Sequence, residues 1–232
     1  MHQHVEGLYP WPFDGQLYKE NTALLIIDMQ VDFCGENGWY DQLGIDRQPF
    51  LAIVPPLKSL LKLMRYAGFP IFFTRESHRP DLTDLNPTKA WRSQQRGIGI
   101  GELGLQGKIL VRGEPGCEMI PDLAPKPGEA IIDKPGASAF YATDLEQLLR
   151  RRNIRNLILT GITTDGAVQS TLRDANDRGY ECLLLSDCCA SDVPAHHAAQ
   201  IHVLSLSDGL YGSITESRML MTAIQSAYLE PV

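Results

Sequence analysis

A long hydrophobic run is the first thing that this sequence of 232 residues lacks. Apolar stretches such as 23–27 and 50–54 stop far short of the roughly 20 residues that a bilayer-spanning helix needs, so no membrane partner is expected. The amino terminus, Met1-His2-Gln3-His4-Val5-Glu6-Gly7, lacks the basic-then-apolar order of a secretion signal, and the cytoplasm is the expected location. Positive charge is also short. Against 28 Asp and Glu stand 21 Lys and Arg, a net charge of −7, which repels phosphate backbones and argues against a nucleic-acid partner. Paired cysteines are missing too: the five, at 34, 117, 182, 188 and 189, form no Cys-x-x-Cys and leave an odd count. That excludes a disulfide framework or a zinc ribbon, and the cysteines read as reduced thiols.

What is present is the composition of an ordinary globular chain, 44% apolar and 21% charged, with 20 Gly and 15 Pro. One domain over 1–232 is expected, with 1–20 as an amino-terminal arm. No internal repeat, low-complexity tract or linker interrupts it. From residue 22 onward short apolar runs alternate with longer amphipathic ones, which predicts an α/β fold: a doubly wound, mostly parallel sheet with helices on both faces. Strands are predicted at 22–28, 70–74, 130–133, 157–160 and 181–186, with an edge strand at 210–211. Helices are predicted over 50–65 with Gly68 as the stop, over 144–150 behind a capping box at 143–146, over 168–178, over 195–204 and over 216–227. Between 75 and 116 the pattern lapses into a Gly-rich polar stretch too long for a plain connection, which suits a pocket wall.

In open parallel sheets ligands bind beyond the carboxyl ends of the strands. Three polar features sit there: Asp28 after the first strand, Lys134 after the third, and the turn Gly161-Ile162-Thr163-Thr164-Asp165-Gly166-Ala167 after the fourth. Taken singly, Asp28 reads as a cap and Lys134 as a solvated charge. Taken together they form a polar group around the start of a helix, where free N–H groups hold an oxyanion and a thiol would be acidified. Position 167, however, is alanine, which by itself is simply a good helix former packed near the sheet.

Leu25-Ile26-Ile27-Asp28-Met29-Gln30 with Asp32-Phe33, Asp133-Lys134-Pro135, Gly161-Ile162-Thr163-Thr164-Asp165 and Leu172-Arg173-Asp174-Ala175 resemble the isochorismatase-like cysteine hydrolases, in that family's order and over most of the chain. Tyr9-Pro10-Trp11-Pro12, the run from Thr74 through Leu82, and Arg112-Gly113-Glu114-Pro115-Gly116 look like the branch that hydrolyses biuret and triuret. The resemblance implies an oligomeric enzyme without a cofactor and a catalytic Asp, Lys and Cys, of which Asp28 and Lys134 match the first two. Ala167 occupies the nucleophile position, so the chain as written is expected to be inactive, through a substitution in an otherwise intact site; a natural pseudoenzyme is the alternative. Cys188 and Cys189 follow a later strand and are read as structural.

The resemblance also implies a cis peptide at Ile162-Thr163 and an oxyanion hole from the Thr163 and Ala167 N–H groups. Arg75, Glu76 and His78 are expected to orient urea carbonyls and amides beside Phe33, with a structural histidine as the other reading of His78. Related nicotinamidases bind a metal through Asp-x-His and a second His. The segment 75–81 offers one histidine, so no metal is expected. Arg150-Arg151-Arg152 reads as complementing a helix end, and His196 and His197 as surface helix residues. The expected activity is release of ammonia from a small-molecule urea oligomer. Triuret is favoured over biuret because Ser207, in Leu206-Ser207-Asp208-Gly209, stands where biuret hydrolases align a glutamine. A protein that binds a urea-like ligand without chemistry is the rival.

Overall fold

Leu24 and Ile26 enter one apolar layer while Ala23, Leu25 and Ile27 enter another, so the first strand is buried on both faces and requires cover on each side. That strand, β1 (Thr22–Ile27), lies at the middle of a six-stranded sheet with β2 (Ile71–Glu76), β3 (Ala130–Lys134), β4 (Asn156–Ile162), β5 (Glu181–Ala190) and β6 (Ser213–Thr215). The computed structural model describes residues 3–228, the side chain of Ser207 excepted. All neighbouring strands run parallel, in the spatial order β3-β2-β1-β4-β5-β6. Leu25 stands in register between Phe72 and Leu159. The chain first builds outward through β2 to β3 and then returns to the other side of β1. This leaves a topological switch, and hence a crevice, at the carboxyl ends of β1 and β4.

Helices α1 (Val54–Ala67), α2 (Pro87–Gln94), α3 (Leu145–Arg151), α4 (Gln169–Asp177), α5 (Pro194–Leu204) and α6 (Ser217–Tyr228) follow in chain order. Leu57, Leu61 and Met64 of α1 and Leu220 and Ile224 of α6 complete one layer; Leu145, Leu149, Leu172 and Ala175 of α3 and α4 complete the other. Each leucine, isoleucine or methionine among them, removed from water, contributes about 1.5–3 kcal/mol. The amino-terminal residues fold back on the same body, with Trp11 fully buried and Val5 and Trp11 paired in an antiparallel bridge. Among the described residues no helix is long and apolar enough to cross a membrane.

Several local expectations are corrected. The helix expected over 50–65 is two, Gln48–Ala52 and α1, because Pro55 and Pro56 lack N–H groups and fit only in a first turn. Gly68, at φ +79°, ends α1 as predicted. The capping box at 143–146 does not form: Thr143 Oγ1 donates to the Ala139 carbonyl, while Glu146 is taken by the guanidiniums of Arg150 and Arg178. Leu210 and Tyr211 are not the edge strand, which begins past Gly212 at Ser213; Tyr211 instead lies under the Arg173 guanidinium. The stretch 75–116 is not free of regular structure, since it holds α2 and a small antiparallel ladder of Leu103–Gly104 with Gly107–Lys108.

Candidate active site

Asp28 leaves β1 at φ +54°, a left-handed conformation that aspartate tolerates better than most side chains. Its carboxylate is held on both sides: Lys134 Nζ lies 2.6 Å from Oδ2, and Thr74 Oγ1 donates to Oδ1 at 2.6 Å. Lys134, at the end of β3 and fully buried, also donates to the Gly136 carbonyl at 3.1 Å. The ends of β1, β2 and β3 thus converge on one buried ion pair. Burial pushes the Asp28 carboxyl above its usual range, with the Lys134 ammonium opposing and Glu76 adding to the rise. A carboxyl held this way takes up a proton more readily than one in water, which suits a group that passes a proton on.

The pair opens on a cavity of about 160 Å³. Across it stands the turn after β4, with Ile162, Thr163, Gly166 and Ala167 on the wall, and the Ile162-Thr163 peptide is cis, as the resemblance implied. Gly161 passes close to β1, and a Cβ there would overlap the Ile27 carbonyl oxygen. The turn is a single π-helical turn, Thr164–Val168, leading into α4. It is fastened from α5 and the end of β5: Thr164 Oγ1 lies 2.8 Å from His197 Nδ1, and Ser191 Oγ donates to Asp165 Oδ1 at 2.7 Å. His197 is therefore half-buried against this turn rather than a surface residue, whereas His196 is exposed. Asp165, Asp192 and His196 each bring one potential ligand atom within 4.8 Å of the others, outside the cavity wall.

Phe33 and Tyr40 close another side, packed edge to face at 4.9 Å between ring centroids. Burial pushes the Tyr40 hydroxyl up to about 12 against a hydrogen bond with Arg96. Glu76, at the end of β2, is the second carboxylate on the wall. Its backbone is fixed by Gln30, whose Oε1 accepts from Glu76 N at 2.8 Å and whose Nε2 donates to Glu76 O at 3.0 Å. Burial raises this carboxyl, but the Lys89 and Lys134 ammoniums together pull it below its usual range.

Of the residues singled out from sequence, Asp28, Lys134, Thr163, Ala167, Phe33 and Glu76 come together here, with Lys134 behind Asp28 rather than on the wall. Arg75 and His78 do not line the cavity. Arg75 is forked onto Asp133 at 2.9 and 3.2 Å and reaches Glu118 at 2.7 Å, while His78 is fully buried against Asp84. Ser207 lies in the turn Leu206–Asp208, and its side chain is outside the described residues. Tyr40, Gln30 and Lys89 were not foreseen as site residues. Gln30 alone carried a signal, two residues after Asp28 at a strand end. All five cysteines are unpaired and buried; burial pushes Cys34 and Cys117 up to about 12 and raises Cys188 and Cys189 as well, which makes poor nucleophiles.

Residues 22–215 match the isochorismatase domain. The ureidoacrylate amidohydrolase RutB of Caulobacter vibrioides is 31% identical over 181 residues, 77% of this chain and 79% of its own length. The protein of the same name from Acinetobacter baylyi is 29% identical over 223 residues, 90% and 86% of the two chains. A cysteine hydrolase from Pseudomonas syringae pv. phaseolicola superposes with a TM-score of 0.78 at 27% identity, covering 97% of this chain and 98% of that one. The nicotinamidase/pyrazinamidase of Bacillus subtilis does so at 0.68 and 26%, covering 84% and 100%. Ureidoacrylate, rather than biuret or triuret, stands in the names of the two sequence relatives.

Proposed function

We propose, from the premise that the chain belongs to the isochorismatase family, that its cavity is built for a small ureido compound and is the site of an amidohydrolase arrested at one atom. The observation that carries this reading is the buried Asp28–Lys134 pair facing Ala167 across a cavity of about 160 Å³. With a thiol at 167, Asp28 would take the S–H proton as sulfur attacks a terminal carbonyl carbon. The Thr163 and Ala167 N–H groups would hold the oxyanion, and Asp28 would return the proton to the departing nitrogen as the C–N bond breaks, releasing ammonia. Water would then attack the acyl–sulfur bond and free the acid. Lys134 keeps Asp28 from facing the thiolate uncompensated.

The ligands favoured are neutral urea oligomers, triuret ahead of biuret. The charged side chains on the cavity wall among the described residues, Asp28 and Glu76, are carboxylates, which suit a ligand rich in N–H donors. The order of the two compounds rests on the Leu206-Ser207-Asp208-Gly209 segment of the sequence alone. The decisive experiment is ammonia release from triuret and biuret by the Ala167→Cys chain beside the chain as it stands. A second reading, a protein that binds such a ligand without turning it over, is favoured by Ala167 itself and by the poor reactivity of the five buried thiols.

A further inference from the structure

Lys89, on α2, has three acceptors within reach of its three donors. Its Nζ lies 2.6 Å from Glu76 Oε1, 2.7 Å from the Pro135 carbonyl and 3.0 Å from His78 Nε2. An ammonium only donates, so Nε2 must accept, which leaves the imidazole neutral with its proton on Nδ1. Nδ1 faces Asp84 Oδ1 at 3.2 Å, and Asp84 is anchored in turn by Arg112 Nη2 at 3.2 Å and the Arg79 N–H at 3.0 Å. Burial and the Lys89 charge both push the imidazole pKa down, in keeping with that neutral form. The start of α2 is set at the same residue, since the Asn86 side chain caps the helix by accepting from Lys89 N at 2.8 Å. A continuous chain, Asp84 to His78 to Lys89 to Glu76, therefore runs from the loop after β2 to the cavity wall.

Such a chain has a physical purpose. Glu76 and Asp28 are like charges on one small cavity, and with Lys134 as the sole partner one of them would take up a proton or turn away. Lys89 supplies the second cation and commits Oε1, so that Oε2 is the acceptor the carboxylate can offer a ligand. Its tether to the Pro135 carbonyl, next to Lys134, ties both lysines to the end of β3. We propose that Lys89, oriented by His78 and Asp84, is a positioning residue that holds the Glu76 carboxylate against the cavity as the acceptor for the N–H groups of a ureido ligand. The ligand half of this statement rests on the function proposed above; the positioning half does not.

The test is a double-mutant cycle on ligand affinity. The chain as it stands is titrated calorimetrically with triuret and biuret, alongside Lys89→Met, Glu76→Gln and the double variant, with Lys89→Gln in reserve should the methionine not fold. If Lys89 acts through Glu76, Lys89→Met weakens binding about tenfold or more, and adds little once Glu76 is already Gln. An equal loss in both backgrounds, or none in either, overturns the positioning role, because a purely structural lysine is indifferent to Glu76. If the unaltered chain binds neither compound, the ureido reading fails and the positioning half is read from the Glu76 carboxyl carbon by NMR. Glu76 should titrate at lower pH in the unaltered chain than in Lys89→Met, and identical titrations overturn the role.

Discussion

Lys134 Nζ stands 2.6 Å from Asp28 Oδ2, two strands apart and almost wholly removed from water. A buried ion pair of this kind is weak ground for stability, because desolvating both charges costs about what their attraction returns. Its placement at the topological switch of the sheet, facing a cavity, gives it a use that stability does not. The pair is one side of a site whose other side is a helix start ending in the methyl group of Ala167.

Ala167→Cys should turn a chain with no measurable ammonia release from triuret or biuret into one that releases it. In that background Asp28→Asn should lower turnover by about a hundredfold or more, since an amide can neither take nor return the proton. Lys134→Met should do the same and also destabilise the fold, by about 3–5 kcal/mol if Asp28 stays ionised. Equal ammonia release with and without the cysteine would show that sulfur is not the nucleophile.

Gly161→Ala should impair the fold rather than only the site. Gly161 has φ +107°, and an added Cβ would overlap backbone atoms of Ile27, which cannot move without displacing β1. The combination of strain and overlap should cost about 2 kcal/mol or more, seen as a lower midpoint in urea with unchanged slope. Wild-type stability of this variant would mean that β1 and β4 are less closely apposed at their carboxyl ends.

The sheet and the ends of its strands were legible because apolar runs such as 23–27 and 157–159 have no other stable placement, and a charge closing such a run must sit at the mouth of the sheet. Asp28, Lys134 and the 161–167 turn follow from that rule. Lys89 did not, for a physical reason: α2 buries only Ser93, so it has no apolar stripe to betray it. Tyr40 sits in the short helix Trp39–Gln42, which shows no period at all, and its place on the cavity wall is set by ring packing on Phe33, Trp39 and Phe50. Arg75 and His78 were legible as polar residues near the site. Sequence could not show that Asp133 and Glu118 claim Arg75, or that Asp84 and Lys89 claim His78, because those partners lie from 6 to 58 residues away.

Stability should fall as pH rises from the usual carboxylate range through about 6, and Asp32 should carry much of that slope. Burial raises the Asp32 carboxyl to about 6, with the Leu110 N–H opposing. In this window the folded chain binds a proton that the unfolded chain has released, so stability declines with pH and levels off above the folded value. The loss is on the order of 2–3 kcal/mol for a shift of this size. Asp32→Asn, which keeps an oxygen for the Leu110 N–H, should flatten the difference curve in urea titrations at pH 4 through 7. A parallel curve would place the titrating group elsewhere.

Ligand charge offers the sharpest discrimination between this chain and its ureidoacrylate-cleaving relatives. Among the described residues no lysine or arginine lines the cavity: Lys134 is spent on Asp28 and Lys89 on Glu76, and the two carboxylates they balance face the ligand. A ligand carboxylate beside one of these meets the like charge nearer than the ammonium behind it, and the net repulsion is about 1–2 kcal/mol at an effective dielectric near 20. Urea oligomers carry no charge and present N–H donors that the carboxylates accept, so the Ala167→Cys chain should show a specificity constant about tenfold higher for triuret or biuret than for ureidoacrylate. Triuret is expected ahead of biuret. Arg96 makes the opposite result interpretable, because its side chain meets the Tyr40 hydroxyl beside the cavity and forms no ion pair among the described residues. A preference for ureidoacrylate, abolished by Arg96→Gln, would mean that this guanidinium receives the substrate carboxylate and that the two wall carboxylates serve the ureido end alone.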